Sequence, residues 1–181
     1  MALLKQLYNT SMHFSPRLKS SFYQIAAILL CCMVTGVWAE RMMEKNKGEV
    51  IATTRLDKAA EDSENRRLPI LLVFSSTTCP YCKLQEEEIL KPMLISGDYD
   101  NKVIIRKVLV PEELELIDFN GRMVSMDDFI SHYRVQVTPT IVFLDHNGKE
   151  LAKRLVGINT VEMFGSDVDD AIELSLKKLQ K

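Results

Sequence analysis

The sequence is poor in the residues on which several specialised classes of protein depend. It has four cysteines in 181 residues, too few for a small protein held together by a framework of disulfides. Seven glycines and six prolines exclude a collagen-like or proline-rich architecture. Basic and acidic side chains nearly balance, at 23 and 25, so no positive excess indicates a nucleic-acid partner. Because 46% of the residues are hydrophobic, the composition is typical of a globular domain rather than a disordered chain.

The first 39 residues lack acidic side chains altogether. Their only charges are three basic side chains, which precede ten consecutive apolar residues at 25–34. Val37 and Ala39 then supply the small residues expected at a signal-peptidase site before Glu40. A basic segment, an apolar segment and a small-residue cleavage site, in that order, are typical of a secretory signal.

Other interpretations of this leader remain open. The uncharged stretch 20–39 is just long enough to span a bilayer, so it is a candidate N-terminal membrane anchor. An organelle transit peptide and a buried core helix fit less well, because the apolar run is compact and its flanks are asymmetric. With either a cleaved signal or an anchor the rest of the chain is exported. We therefore expect a periplasmic protein, either soluble or anchored to the inner membrane.

Removing residues 1–39 changes both the charge and the cysteine content of what is left. The leader carries three basic residues and no acidic ones, so the net charge changes from −2 to −5. Residues 40–55 are polar and weakly patterned, which predicts a linker, and residues 56–181 are predicted to form one domain. A chain of this length buries about two-thirds of its unfolded surface, enough for one core.

The predicted domain alternates helical and strand patterns. The run 70–74 is apolar throughout, as expected of a strand buried on both faces. Two further strands are predicted at 103–110 and 140–144. An edge strand is predicted at 149–156. Four helices are predicted at 56–67, 80–90, 125–133 and from Ser166 or Asp167 onward. Pro92 is expected to kink or stop the second helix. This order predicts an α/β fold in which helices flank a central mixed sheet.

Local turn and capping signals divide the segment 111–133. Asn120-Gly121 is a favoured two-residue turn, which predicts a hairpin between 114–119 and 122–124. Ser125, with Asp128 three residues later, is typical of a helix N-cap.

The chemistry is predicted at Cys79-Pro80-Tyr81-Cys82, because Cys79 and Cys82 are the only cysteines left after the leader. Cys79 lies where the first predicted strand passes into a helix, and free N–H groups at a helix start favour an anion. This placement lowers the pKa of the thiol and makes it the nucleophile. Pro80 fits the first helical turn, which needs no N–H partner. Cys82, nearly one turn later, is shielded and close enough to form a disulfide.

Two segments then resemble the thioredoxin superfamily. LVFSSTTCPYCK is followed about sixty residues later by RVQVTPTIVFLDHNGKEL, and the similarity extends over 56–179. Within the superfamily the chain is most similar to exported thioredoxin-like proteins, including the SoxW type. The resemblance implies a thioredoxin fold, a cis peptide bond before Pro139, and pairing of the Thr138 backbone with an extended substrate strand. We also expect Tyr81, between the cysteines, to be exposed and to affect their reactivity only modestly.

The chain departs from this family at several positions. Thioredoxins usually carry a buried carboxylate where this chain has Val73, so proton transfer at Cys82 must use another group or water. Lys107 aligns with a family lysine near the cysteines, and Glu86, one turn beyond Cys82, is a further candidate. The segment 111–133 is longer than its thioredoxin counterpart and is a candidate determinant of partner choice.

These observations predict a thiol–disulfide oxidoreductase that acts on protein disulfides outside the cytosol. The catalytic pair is Cys79 and Cys82, supported by Pro80, Tyr81, Thr138, Pro139 and Lys107, with no cofactor and no metal. The segment 40–68 is too short for the dimerisation domain of a dedicated isomerase, so a monomeric reductase is favoured. In an oxidising compartment it needs a donor, for which a membrane thiol-transfer protein is the candidate.

Two hypotheses from other classes stay open. One is a non-catalytic binding or chaperone module that keeps a structural disulfide. The other is a soft-metal chaperone that uses both thiols as ligands for Cu(I) or Zn.

Overall fold

The computed structural model describes residues 48–111 and 114–180. The predicted leader, including the candidate anchor 20–39, lies outside the described residues, as does the first part of the predicted linker, 40–47. No helix within the described ranges combines the length and the apolar composition needed to cross a membrane.

A mixed sheet forms the centre of the described domain. β1 (Ile70–Ser75) is buried along its whole length. It pairs in parallel with β2 (Ile104–Leu109) and antiparallel with β5 (Thr140–Leu144). β6 (Leu155–Val156) pairs antiparallel with β5, so the strand order is β2-β1-β5-β6. The continuous apolar run predicted for β1 follows from cover on both faces of the sheet.

Helices cover the two faces of this sheet. Their bounds are α1 Leu56–Arg66, α2 Pro80–Gln85, α3 Lys91–Ser96, α4 Met126–His132 and α5 Val161–Leu179, with a π-helical turn at Glu86–Leu90 between α2 and α3. One buried cluster joins α1 and α4 to side chains such as Leu72 and Phe74. A second cluster joins the π-helical turn, α3 and α5 to Leu71 and Val73 on the opposite face. Alternate residues of β1 therefore enter two separate cores.

Four aromatic rings connect the segment 111–133 to the sheet. The ring of Phe129 lies 5.7 Å from that of Phe74, 6.4 Å from that of Phe119 and 4.9 Å from that of Tyr133, centroid to centroid. The Tyr133 hydroxyl donates a hydrogen bond of 2.8 Å to the carbonyl of Gly148. A Cβ at position 148 would lie 2.6 Å from Cδ2 of Phe119 and 2.7 Å from the Tyr133 hydroxyl, so the close approach requires glycine.

The hairpin and the capped helix predicted within 111–133 are both present. β3 (Glu115–Ile117) pairs antiparallel with β4 (Met123–Ser125) across a connection containing Gly121, whose φ is 76°. The Ser125 hydroxyl accepts a hydrogen bond of 3.1 Å from the N–H of Asp128 at the start of α4. The first strand is shorter than predicted and the second begins one residue later, but their order and the capping residue are confirmed.

The last helix begins earlier than predicted. Ser166 or Asp167 was the expected cap, whereas the Thr160 hydroxyl caps α5 by accepting from the N–H of Met163. Gly165 weakens the helical pattern in the first turns, because glycine has a low helix propensity. In the fold, a Cβ at position 165 would lie 3.7 Å from Cδ1 of Ile89, an ordinary contact, so the packing there does not require glycine.

The predicted edge strand 149–156 is interrupted. Glu150 pairs with Leu144, and Leu155 pairs with Ile141. The segment 150–155 is therefore two residues longer than the segment 141–144 that it lies opposite. The two extra residues form a bulge, so regular pairing with β5 is confined to the two residues of β6.

The helix that follows the cysteines continues past Pro92. The backbone runs from α2 through the π-helical turn into α3 without a break. Pro92 lies in the first turn of α3 and has no backbone N–H to donate. The π-helical turn just before it changes the hydrogen-bonding pattern of the helix and so accommodates the proline.

Part of the predicted linker packs against the sheet. Val50 is buried, and Lys107 on β2 donates its N–H to the carbonyl of Ile51 while its own carbonyl accepts from Thr53, both at 2.9 Å. Ile117 of β3 likewise donates to the carbonyl of Thr54 at 2.7 Å. Residues 50–54 therefore cover the exposed edge of β2 and join it to the hairpin. The linker and domain boundaries as a whole remain a prediction.

The aromatic cluster yields a test of stability. Tyr133→Phe removes the hydroxyl that satisfies the Gly148 carbonyl, so the free energy of unfolding should fall by about 1 kcal/mol or more in urea denaturation. Tyr81→Phe is the matched control, because Tyr81 is 62% exposed and its loss of a hydroxyl should change stability little. Equal stability of the two variants would contradict a structural role for the Tyr133 hydroxyl.

Candidate active site

Cys79 occupies the N-cap of α2, directly after the short loop that follows β1. Its backbone is extended, with φ −89° and ψ 112°, and Pro80 is the first helical residue. Proline suits this position because the first turn of a helix has no intrahelical partner for an N–H. The buried strand and the helix together fix the position of the cysteine.

Two groups lie against the sulfur of Cys79. The backbone N–H of Cys82 donates to it at 3.2 Å, and the sulfur lies 3.5 Å from the backbone carbonyl of Thr138. Thr138 lies two residues before the start of β5 and is 59 residues away from Cys79 in the chain. Cys79 is partly exposed, whereas Cys82 is only 4% exposed, and both are free thiols. The structure thus pairs one accessible sulfur with one protected sulfur.

The two thiols have opposite pKa shifts. Burial by itself raises the pKa of Cys79, but hydrogen bonds from the side chains of Cys82 and Thr138 and from the backbone at Cys82 and Tyr81 outweigh it, so the pKa lies below the ordinary value. Burial raises the pKa of Cys82, and the hydrogen bond with Cys79 raises it further. The shared proton therefore stays on Cys82 and the negative charge on Cys79. A thiolate at the accessible sulfur is the form that attacks disulfides.

The loop before β5 forms one wall of the site. The Thr138–Pro139 peptide bond is cis. Gly157, just after β6, donates its N–H to the carbonyl of Pro139 at 2.9 Å, which fixes the loop to the neighbouring strand. Tyr81 and Val137 are 62% and 51% exposed. Pro80, Tyr81, Thr138 and Pro139, all predicted from sequence as supporting residues, thus lie on the elements that carry or contact Cys79.

Lys107 lies near Cys82, together with Glu86. The two form an ion pair in which Nζ of Lys107 lies 2.9 and 2.8 Å from the two carboxylate oxygens of Glu86. Their side chains are only 16% and 21% exposed. They line one wall of a cavity of about 280 Å³, to which Cys82 and Ser75 also contribute. Val73, where relatives carry a carboxylate, is buried beside Lys107 in the ladder between β1 and β2.

Ser75 is a further residue of the site that was not predicted from the sequence. This residue ends β1, is 7% exposed and makes a side-chain hydrogen bond to Cys82 that lowers the pKa of that thiol. The feature of the sequence that could have indicated Ser75 is a hydroxyl residue at the end of an otherwise apolar strand.

The segment 111–133 contributes to a second cavity, of about 350 Å³, lined by side chains that include Asp118, Phe119, His132 and Asn147. Asn147 follows β5, whereas Thr138 precedes it, so this cavity lies at the end of β5 opposite the cysteines. Five strand residues separate the two ends by roughly 17 Å.

Comparison with known families now identifies the class of the chain. The thioredoxin-like domain family matches residues 56–171, which is more than half of the chain. The chain belongs to this family and has a thioredoxin fold, a mixed α/β arrangement with helices on both faces of the sheet. Such a fold is consistent with a thiol–disulfide oxidoreductase. No curated protein matches the chain significantly.

Several solved structures are similar to the chain at low sequence identity. DsbH oxidoreductase is 20% identical, with a TM-score of 0.49 over 71% of this chain and 88% of that chain. Thioredoxin from Malassezia sympodialis is 20% identical, with a TM-score of 0.48 over 71% and 92% of the two chains. Thioredoxin NaTrxh from Nicotiana alata is 22% identical, with a TM-score of 0.44 over 67% and 91%. At these values the similarity does not by itself define a substrate.

The opposite pKa shifts predict how Cys79 reacts with iodoacetamide. The rate of its alkylation should rise with pH through a midpoint below that of an ordinary thiol, about 8.5. Cys82→Ala removes a hydrogen-bond donor and should raise this midpoint, while Cys82→Ser keeps a hydroxyl donor and should raise it less. A midpoint at or above about 8.5 in the unaltered protein would contradict the proposed stabilisation of the thiolate.

Proposed function

We propose that the protein is a thiol–disulfide oxidoreductase whose redox centre is Cys79-Pro80-Tyr81-Cys82. The observation that carries this proposal is the pairing of a partly exposed thiol of lowered pKa with a buried thiol of raised pKa. A purely structural disulfide has no need of an accessible thiolate, whereas an attacking and a resolving thiol require this asymmetry.

The exchange proceeds in two displacements. The Cys79 thiolate attacks one sulfur of a substrate disulfide, forms a mixed disulfide and releases the other substrate sulfur as a thiolate. Cys82 then loses its proton and attacks the Cys79 sulfur, which closes the Cys79–Cys82 disulfide and releases the second substrate thiolate. The substrate gains two electrons and the cysteine pair loses two. The same steps in reverse oxidise a substrate dithiol.

The surroundings of Cys79 suit a protein substrate. The backbone of Thr138 lies beside the reacting sulfur, and the exposed side chains of Tyr81 and Val137 provide apolar contact area. We propose that an extended substrate segment pairs with the Thr138 backbone and brings its disulfide to Cys79.

The predicted leader supports a proposal for the compartment of the reaction. We propose that the protein is exported, of the SoxW type, and works in the periplasm as a monomer, either free or anchored by residues 20–39. There it acts as a reductase rather than an isomerase. A membrane thiol-transfer protein would return electrons to Cys79 and Cys82, because the compartment itself is oxidising.

A trapping experiment tests the proposed chemistry. Cys82→Ser removes the resolving thiol, so this variant should accumulate mixed disulfides with proteins of the periplasm, visible as high-mass species that dithiothreitol releases. Cys79→Ser is the matched control and should trap little or nothing, because Cys82 is buried. Equal trapping by the two variants, or none by Cys82→Ser, would contradict the enzyme and favour a binding module or a metal chaperone.

A further inference from the structure

Cys82 lines a polar cavity of about 280 Å³, to which Ser75, Lys83, Glu86, Glu87 and Lys107 also contribute. Of its two carboxylates, Glu87 is the more exposed and is paired with Lys91 at 2.6 Å. A water molecule takes up about 30 Å³ in the liquid, so a space of this size admits several. Its charged and hydroxyl groups provide the polar partners that such water needs.

The resolving thiol has a specific chemical need. Cys82 must lose its proton before it attacks the mixed disulfide, yet burial raises the pKa of its thiol. Val73 on β1, which pairs with Lys107 in the sheet, is apolar and cannot accept a proton. The proton therefore has to leave by way of another group.

Glu86 is placed to meet this need. It lies four residues after Cys82 in one continuous helical segment, so the two side chains project from the same helix face about 5–6 Å apart at Cβ. Its carboxylate is held by two hydrogen bonds from Nζ of Lys107, which comes from β2. Because both side chains are mostly buried, the pair keeps a defined position at the cavity wall rather than in bulk solvent.

We propose that Glu86 accepts the proton that Cys82 releases during resolution, by way of water in the cavity that the two side chains share, and that Lys107 is the positioning residue for its carboxylate. This inference rests on the proposed function, since it assigns a role within the second displacement. The proton-accepting carboxylate is thus placed on the helical segment that contains Cys82, because β1 has no carboxylate of its own.

During resolution the S–H bond of Cys82 breaks, and the proton passes through water to a carboxylate oxygen of Glu86. The electron pair left on the Cys82 sulfur forms the bond to the Cys79 sulfur. The bond between Cys79 and the substrate sulfur breaks, and the substrate leaves as a thiolate. Glu86 then returns its proton to that thiolate or to solvent. In the reverse direction the same carboxyl group protonates Cys82 as it leaves.

Ser75 completes the environment of this sulfur. Its hydroxyl, at the end of β1, lies in the same cavity and hydrogen-bonds Cys82. A hydroxyl donor stabilises the transient Cys82 thiolate, so Ser75 is a positioning residue for the same step.

The two displacements can be timed separately with 5,5′-dithiobis(2-nitrobenzoate) in a stopped-flow instrument. Attack by Cys79 on this disulfide releases one coloured thiolate, and resolution by Cys82 releases a second. Glu86→Gln should leave the first phase unchanged and slow the second by about tenfold or more near neutral pH, since a positioned base contributes on the order of 100-fold or more. Glu88→Gln, the matched control, removes the same charge from an exposed neighbour and should change neither phase.

The pH profile separates proton transfer from a structural effect. In the unaltered protein the second phase should vary little between about pH 6 and about pH 8, because Glu86, rather than hydroxide, takes the proton. In Glu86→Gln it should rise about tenfold per pH unit, because hydroxide must then do so. Glu86→Asp should restore much of the flat profile, and Ser75→Ala should slow only the second phase.

Each outcome is decisive. A second phase in Glu86→Gln as fast and as flat with pH as in Glu88→Gln would overturn the role of Glu86 while leaving the proposed function intact. Loss of the first phase in the unaltered protein, or failure to release a second thiolate, would instead overturn the proposed function itself.

Discussion

The structure depends on one local arrangement, in which the N–H and the thiol of Cys82 both donate to the sulfur of Cys79. This arrangement exists only because a strand buried on both faces ends just before a helix begins, so that the two cysteines are one turn apart. The loop before β5 then contributes Thr138 from far away in sequence. Charge is stabilised on the accessible sulfur and the proton is retained on the protected one.

The parts of this site that sequence predicts well are those set by local pattern. The run ILLVF is apolar throughout and TIVFL is apolar after its first residue, so their burial in β1 and β5 follows from composition alone, and both strands are confirmed. Pro80 after Cys79 marks a helix start, and Ser125 with Asp128 marks another. In each case the physical cause operates within a few residues of the chain.

The parts that sequence predicts poorly depend on contacts between distant segments. Residues 50–54 bind β2 through backbone groups, which side-chain pattern does not encode. The π-helical turn and the early start of α5 at Thr160 reflect packing between helices. Ser75, Glu86 and Lys107 come from three separate elements, so their common cavity emerges only when the sheet and helix are assembled.

The central claim is that two sulfurs of unequal exposure and acidity work as a single redox couple. Equilibration of the protein in glutathione buffers of graded potential, with mass-spectrometric mapping of the thiols at each step, tests this most directly. The account predicts one two-electron transition in which both sulfurs disappear together into an intramolecular Cys79–Cys82 disulfide. Independent titration of the two thiols, or glutathione adducts in place of that disulfide, would contradict it.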